Sequence, residues 1–382
     1  MSGSGPGARD RTVDAVRAFA VAGVVSGHWL VTGLVPGADG LRTASPLAAM
    51  PAGAPVTWLL QTLGLFFFAG GFAAARARST ERPRPAGSPL RRHARPVLGL
   101  LAVWAPALLL AAALGVPATT LRTIATLVVS PLWFLLPYLA LSAATGALRR
   151  VLARFGPVVL LVPVAVVAAT DAGLLPGLAA VPAAWAVPWL LGILVADHAR
   201  GTGDVLAYGG AALACAGAAA MVALVRFGHY PASAVGVPGA GRSNLFPPSL
   251  VAVALAVTQT GVFLLLRAPL ARLLRRDRLW RPIAALNRVA VGVYLGHQSV
   301  LLAVAGAAAL VSPAMPGLLT APTGPGWVAA RVLWLPVLAT VLAVMTGVRH
   351  HGEPGCIKRA LRGTLFDGSQ ARTTDGGDRC AR

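Results

Sequence analysis

The stretch RRHARPVLGLLAVWAPALLLAAALG, residues 91–115, decides what class of protein this is. Arg91, Arg92 and Arg95 open it, and no charge follows from Pro96 to Gly115. About twenty residues of helix rise about 30 Å, the thickness of the hydrocarbon core of a bilayer. The same unit, an arginine-bearing block and then an apolar run, recurs along the 382 residues. Spans are expected at roughly 13–34, 55–75, 96–115, 123–147, 156–171, 178–196, 205–226, 249–267, 289–311 and 326–348. Pro163, Pro182 and Pro188 interrupt the fifth and sixth of them. The alternation that marks a membrane-spanning β-strand is missing. The expected fold is therefore an all-α, polytopic transmembrane bundle of about ten helices.

Composition agrees. The chain is 56% hydrophobic and 12% charged, with a mean hydropathy of +0.72, which excludes an ordinary water-soluble globule. With the N-terminus inside, 28 of the 33 basic residues fall in cytoplasmic segments. Only Arg42, Arg122, Arg226, Arg242 and Arg331 lie elsewhere. That bias sets the orientation, with both termini cytoplasmic and the chain a multi-pass protein of the inner (plasma) membrane. The net charge of +21 does not point to nucleic acid, because no basic domain with interleaved aromatics is present. Its arginines suit anionic membrane lipids and anionic cytosolic ligands. Residues 1–8 are expected to be disordered, 9–349 to form the membrane domain, and 350–382 to form a polar cytoplasmic tail.

A charge at the centre of a membrane helix costs about 2.5–3.5 kcal/mol, so each ionisable group in a span asks for a reason. His28 lies eleven positions after Arg17, about 16 Å deeper along a helix. His297 lies nine positions after Arg288, about 13 Å from the same face. Two imidazoles at similar depth can line one cavity, where a neutral ring acts as a general base. The competing reading is that each simply bonds a neighbouring helix. Trp133, between Pro131 and Pro137, marks a broken helix beside a cavity or plain packing. Arg92 and Arg95 stand three apart on one helix face, a spacing that suits phosphate oxygens as well as it suits topology. Asn244, in Ser243-Asn244-Leu245-Phe246-Pro247-Pro248-Ser249, either caps the eighth span or lines an outer mouth. Gln61 and Gln259 are further polar residues within spans. Phosphate loop, zinc motif and nucleophile elbow are absent, so neither a metal nor a bound cofactor is expected.

Taken together, these residues resemble the bacterial acyltransferase family 3 membrane proteins. The run from Arg11 through Asp14 and Arg17 to Ser26-Gly27-His28-Trp29 is similar to the family's opening, with ten residues between the second arginine and the histidine. Arg92 and Arg95 match its Arg-x-x-Arg, and Pro131-Leu132-Trp133-Phe134 and Tyr294-Leu295-Gly296-His297 look like its later signatures. The segment Leu65 to Phe72 looks like Phe-Phe-x-x-Ser-Gly, with Gly70 in place of the usual serine. Ser243 to Pro248 is like a segment of actinobacterial members, and the resemblance spans about residues 9–349.

The resemblance implies an O-acyltransferase that moves an acyl group, often acetyl, from cytoplasmic acyl-CoA, a co-substrate, to a hydroxyl at the outer side. The acceptor it implies is a carbohydrate, a lipid-linked sugar or a glycosylated metabolite. In that reading His28 is catalytic, and Arg17, Arg92 and Arg95 bind acyl-CoA. Trp133, Asn244, Tyr294 and His297 bind the acceptor, and Asp14 supports the opening segment. A non-catalytic permease or flippase is the alternative, which explains the helix number but not the two arginines and histidine at this spacing.

Overall fold

The computed structural model describes residues 10–78, 88–198 and 203–351. The expected disordered N-terminus and nearly all of the expected polar tail lie outside these residues. The chain enters its first helix, α1 (Arg11–Val31), at Asp10, whose carboxylate accepts from the N–H groups of Thr12 and Val13. Such a cap satisfies donors that every helix start leaves open. The same carboxylate pairs with Arg267 at 2.8 Å. Burial pushes the Asp10 carboxyl pKa up, but hydrogen bonds from Thr12 and Arg267 and the Arg267 charge outweigh it and hold the group below its ordinary value.

After α1 the chain forms a hairpin, β1 (Gly33–Gly37) and β2 (Gly40–Ala44), with Gly33 opposite Ala44. The Gly- and Pro-bearing sequence of this segment does not itself signal strand pairing. Gly40, at φ +113°, takes a backbone angle that side chains disfavour and lets the chain turn back. Two short helices follow, α2 (Pro46–Ala49) and α3 (Val56–Leu60). The long helices are α4 (Leu63–Arg78), α5 (Ser88–Ala113), α6 (Ala118–Val129), α7 (Leu135–Phe155), α8 (Leu161–Asp171), α9 (Ala180–His198), α10 (Gly203–Phe227), α11 (Leu250–Leu273), α12 (Asp277–Ala309) and α13 (Pro325–His351).

Among the described residues, eight helical segments are long and apolar enough to cross a membrane. One of them, Ala118–Asp171, is 54 residues long, about 80 Å as a single helix, which no bilayer accommodates. It reverses at Gly156, where φ is +67°. Arg149 near the end of α7 pairs at 2.7 Å with Asp197 near the end of α9, so α8 between them runs the opposite way. With that segment counted as two crossings and α1 added, every expected span coincides with helix. The chain is an all-α, multi-pass membrane bundle.

Two expected spans are broken. The second divides at Gln61–Thr62, between α3 and α4. The fourth divides at residues 130–134, between α6 and α7, where Pro131 has no N–H to continue a helix. The ninth begins earlier than expected, because α12 starts at Asp277.

Packing inside the bundle relies on small residues, as it does where lipid supplies no hydrophobic drive between helices. A Cβ on Gly71 would lie 2.1 Å from the Trp189 carbonyl oxygen, and one on Gly192 would lie 2.2 Å from that of Phe68. These glycines press α4 onto α9 and bury Phe67, Phe68, Trp185 and Trp189 between them. The outer wall is apolar, with Leu109 and Leu110 of α5 and Leu333 and Val344 of α13 exposed toward lipid.

Candidate active site

α1 lies along α12 and is fastened to it at three levels. At the arginine-rich end, Arg11 sits 5.0 Å over the Trp280 ring of α12 and also donates at 2.8 Å to the Leu274 carbonyl at the end of α11. Next, Arg17 donates to the Asn287 carbonyl at 3.2 Å, while the Asn287 amide donates to the Asp14 carbonyl at 2.7 Å. Deepest, the Trp29 indole N–H donates to the His297 carbonyl at 3.0 Å. This last bond brings His28 against His297, with Nδ1 of His28 2.9 Å from Nε2 of His297.

The direction of that bond follows from its neighbours. Nδ1 of His297 faces the Tyr294 carbonyl oxygen, which can only accept, so this nitrogen carries a hydrogen. In a neutral ring Nε2 of His297 is then an acceptor, and Nδ1 of His28 donates to it. Gln298 brings its terminal amide to 3.2 Å from the same Nδ1 and accepts from it when its oxygen faces in, since the two amide ends exchange by a half-turn. Nε2 is left as the ring nitrogen of His28 with a lone pair for an incoming group. Among the described residues no cluster of three His, Cys, Asp or Glu forms that could hold a metal ion.

His28 lines a cavity of about 190 Å³, together with Gly27, Leu30, Thr57, Leu60 and Gln61. The break between α3 and α4 makes this space. At the break the Thr62 hydroxyl donates to the Ala20 carbonyl at 2.8 Å. A Cβ on Gly23 would come within 2.5 Å of the Thr62 Oγ1, so only glycine lets α1 approach this closely. Gln259 donates to the Trp58 and Gln61 carbonyls at 2.9 and 3.0 Å. Carbonyls freed in a broken membrane helix need such partners, and that is the work of Gln259.

A second cavity, of about 100 Å³, is lined by Arg17, Phe66, Phe134, Tyr138 and Tyr294. It shares no lining residue with the first. Tyr294, His297 and His28 form the step from one to the other, with the Tyr294 and His297 rings 5.8 Å apart.

Thus the expected residues divide. His28, His297, Tyr294 and Arg17 gather along the α1–α12 seam, with Asp14 in the same seam through its backbone. Arg95 is exposed on α5 and does not line the cavity of Arg17. Arg92 has a side chain outside the described residues. Trp133 lies in the α6–α7 break, 6.2 Å from Trp185 and 5.9 Å from Phe246 by ring centroids, and lines neither cavity. Asn244, expected either to cap the eighth span or to line an outer mouth, is fully buried. Its amide donates to the Pro231 and Ser233 carbonyls at 2.7 and 2.8 Å and accepts from Ser249 at 2.8 Å, so it braces the loop before α11. That loop is also held by Asp171, which accepts from Tyr230 at 2.8 Å. Burial and this hydrogen bond push the Tyr230 phenol pKa up. Sequence reasoning passed over Gln298, although His297-Gln298-Ser299 is a polar run inside an apolar span.

The model of acyltransferase family 3, described as an acyltransferase domain, matches residues 10–348, which is all but the last turn of the described bundle. No curated protein and no solved structure matches the chain. With a family match that takes in α1, the histidine pair and the α3–α4 break alike, this multi-pass membrane protein belongs to acyltransferase family 3 and is an acyltransferase.

Proposed function

We propose that the protein transfers an acyl group from acyl-CoA, bound at the arginine-rich end, to a hydroxyl of a carbohydrate-type acceptor that reaches His28 from the opposite end. The arginine-rich end is cytoplasmic in this reading, and the membrane is the inner (plasma) membrane. Arg17, with Arg92 and Arg95 on α5, holds the donor's phosphates through charge-assisted hydrogen bonds. The acyl chain passes the Tyr294 ring to reach His28. Nε2 of His28 takes the proton of the acceptor hydroxyl while its oxygen attacks the thioester carbonyl carbon. The new C–O bond forms, the C–S bond breaks, and the proton passes from His28 to the departing thiolate. His297 accepts from the far side of the His28 ring and steadies the imidazolium in between.

The observation that carries this reading is that His28 lines a cavity while its Nδ1 is already held by His297, which leaves Nε2 for an incoming group. A ring serving only as packing glue has no need of a cavity. The test is His28→Ala in lipid nanodiscs, with released CoA measured by a thiol reagent. A loss of at least 100-fold is expected, the lower range for a general base, with membrane insertion intact. Release at the wild-type rate would remove His28 from the chemistry.

A further inference from the structure

The cavity at His28 has an unusual wall for a site that takes a sugar. Val24, Leu30, Val31, Leu60, Val235 and Leu245 line it, joined by Leu47, Met50 and Val56. Its polar side chains are His28, Thr57 and Gln61. Thr57 is already engaged on both sides. Its hydroxyl donates to the Ala54 carbonyl and accepts from the Ala234 N–H at 2.9 Å. The Gln61 amide oxygen accepts from the Leu63 N–H at 3.3 Å. What remains for a ligand is one acceptor, Nε2 of His28, and one donor, the amide nitrogen of Gln61.

A pyranose presents several hydroxyls, and each one buried without a partner is strongly disfavoured. Two polar groups cannot serve them. They do suit a molecule that brings one reacting hydroxyl and one neighbouring oxygen on an otherwise apolar body. The walls around the cavity extend the same preference outward, because Val56 and Leu59 of α3 are exposed. An acceptor can therefore slide in from the lipid side of α3 with its apolar part still covered.

Resting on the acyl-transfer reading above, we infer that the acceptor is an amphiphile whose reacting hydroxyl sits beside an apolar body within this cavity, and that Gln61 donates to the oxygen next to that hydroxyl. A free hydrophilic sugar is a poor fit. Gln61 thereby selects the hydroxyl that meets His28, and the hydrocarbon walls select the molecule that carries it.

The experiment compares 2-(decyloxy)ethanol, which has one hydroxyl beside one ether oxygen, with 2-methoxyethanol in nanodiscs, with acetyl-CoA as donor. The two carry identical hydroxyls and differ only in their tails. Acylated product is quantified by mass spectrometry and CoA by thiol release. The expected kcat/KM is at least tenfold higher for the decyl compound. Tail partitioning into the bilayer alone would give a preference too, so Gly53→Phe provides the control. Gly53 lines the cavity, and a Cβ there meets only the lining residue Leu47, at 3.7 Å from its Cδ2, so a larger side chain is accommodated without a backbone clash. Narrowing the cavity this way is expected to erase the decyl preference, and Gln61→Leu to raise KM for the decyl compound about tenfold. A decyl preference that survives Gly53→Phe overturns the inference. So does equal use of the methyl compound, which leaves acyl transfer standing, or CoA release with no acylated decyl compound, which leaves only thioester cleavage standing. Absence of any CoA release overturns the acyl-CoA reading itself.

Discussion

Nδ1 of His28 and Nε2 of His297 lie 2.9 Å apart across the α1–α12 seam, though 269 positions separate the residues in the chain. Their contact orders a three-member line, from the Tyr294 carbonyl through His297 to His28. Each member sets the hydrogen position of the next, so the outermost ring nitrogen is a base without any charged partner. A carboxylate in place of His297 would do the same work in water, but inside a membrane it would bring a buried charge. Two neutral rings avoid it.

From this line it follows that His297 acts through His28. His297→Ala removes the acceptor that holds the His28 N–H, and the ring is then free to turn or to change tautomer. Activity is expected to fall roughly 10- to 100-fold, below the full effect of a general base, which is about 10²–10⁴. The loss should lie in kcat, with KM for the donor little changed. The double variant should be no worse than His28→Ala alone, and additive losses in CoA release would place the two residues in separate roles.

Trp29 supports the same line from behind. Its indole N–H reaches the His297 carbonyl at 3.0 Å, and the ring is buried. Trp29→Phe keeps most of the packing and deletes one buried hydrogen bond, worth about 0.5–1.5 kcal/mol. The melting temperature is expected to fall slightly and kcat to fall up to about tenfold. Unchanged kcat would show that the His28–His297 contact holds without this brace.

Much of this was visible in the residues before any coordinates. The arginine blocks located the crossings, because basic residues respond to the membrane potential and lipid charge wherever a helix ends. Counting from Arg17 and Arg288 put His28 and His297 at one depth, since rise per residue is constant. Composition cannot report a break, however. Pro131 and Pro137 mark the break at Ser130–Phe134 in the sequence itself, but Gln61–Thr62 is as apolar in its surroundings as continuous helix, and only the partners of its freed carbonyls betray it. Asn244 is a related case. A polar residue in an outer loop reads the same whether it meets a ligand or three neighbours of its own chain.

Gly70 is a place where family pattern and local packing meet. Where a serine is usual, a Cβ here would come 2.6 Å from Trp189 Cζ3 and 2.9 Å from Tyr138 Cε2. Trp189 and Tyr138 fill the volume that a serine side chain would need. Gly70→Ser is expected to destabilise by about 1–3 kcal/mol, the range for overpacking a filled core. A lower melting temperature in detergent, with residual kcat per folded molecule preserved, is the anticipated result. A variant as stable as the parent would mean that the Trp189 ring moves aside freely.

Asp10 gives the fold a dependence on acid. Its pKa is lowered in the folded chain, so the stability it contributes is present above its ordinary value of 3.8 and is lost as pH falls through the folded value. Asp10→Asn keeps part of the cap to α1 but leaves Arg267, only 19% exposed, without its 2.8 Å partner. At neutral pH the variant should melt lower than the parent, by up to about 2 kcal/mol of stability, the upper end for a lost cap. Below pH 3.8 the parent's carboxylate is progressively protonated as well, and the two melting curves should converge. A gap of constant size across that range would mean the carboxylate charge contributes nothing to holding α1 against α11, and that the cap acts through hydrogen bonding alone.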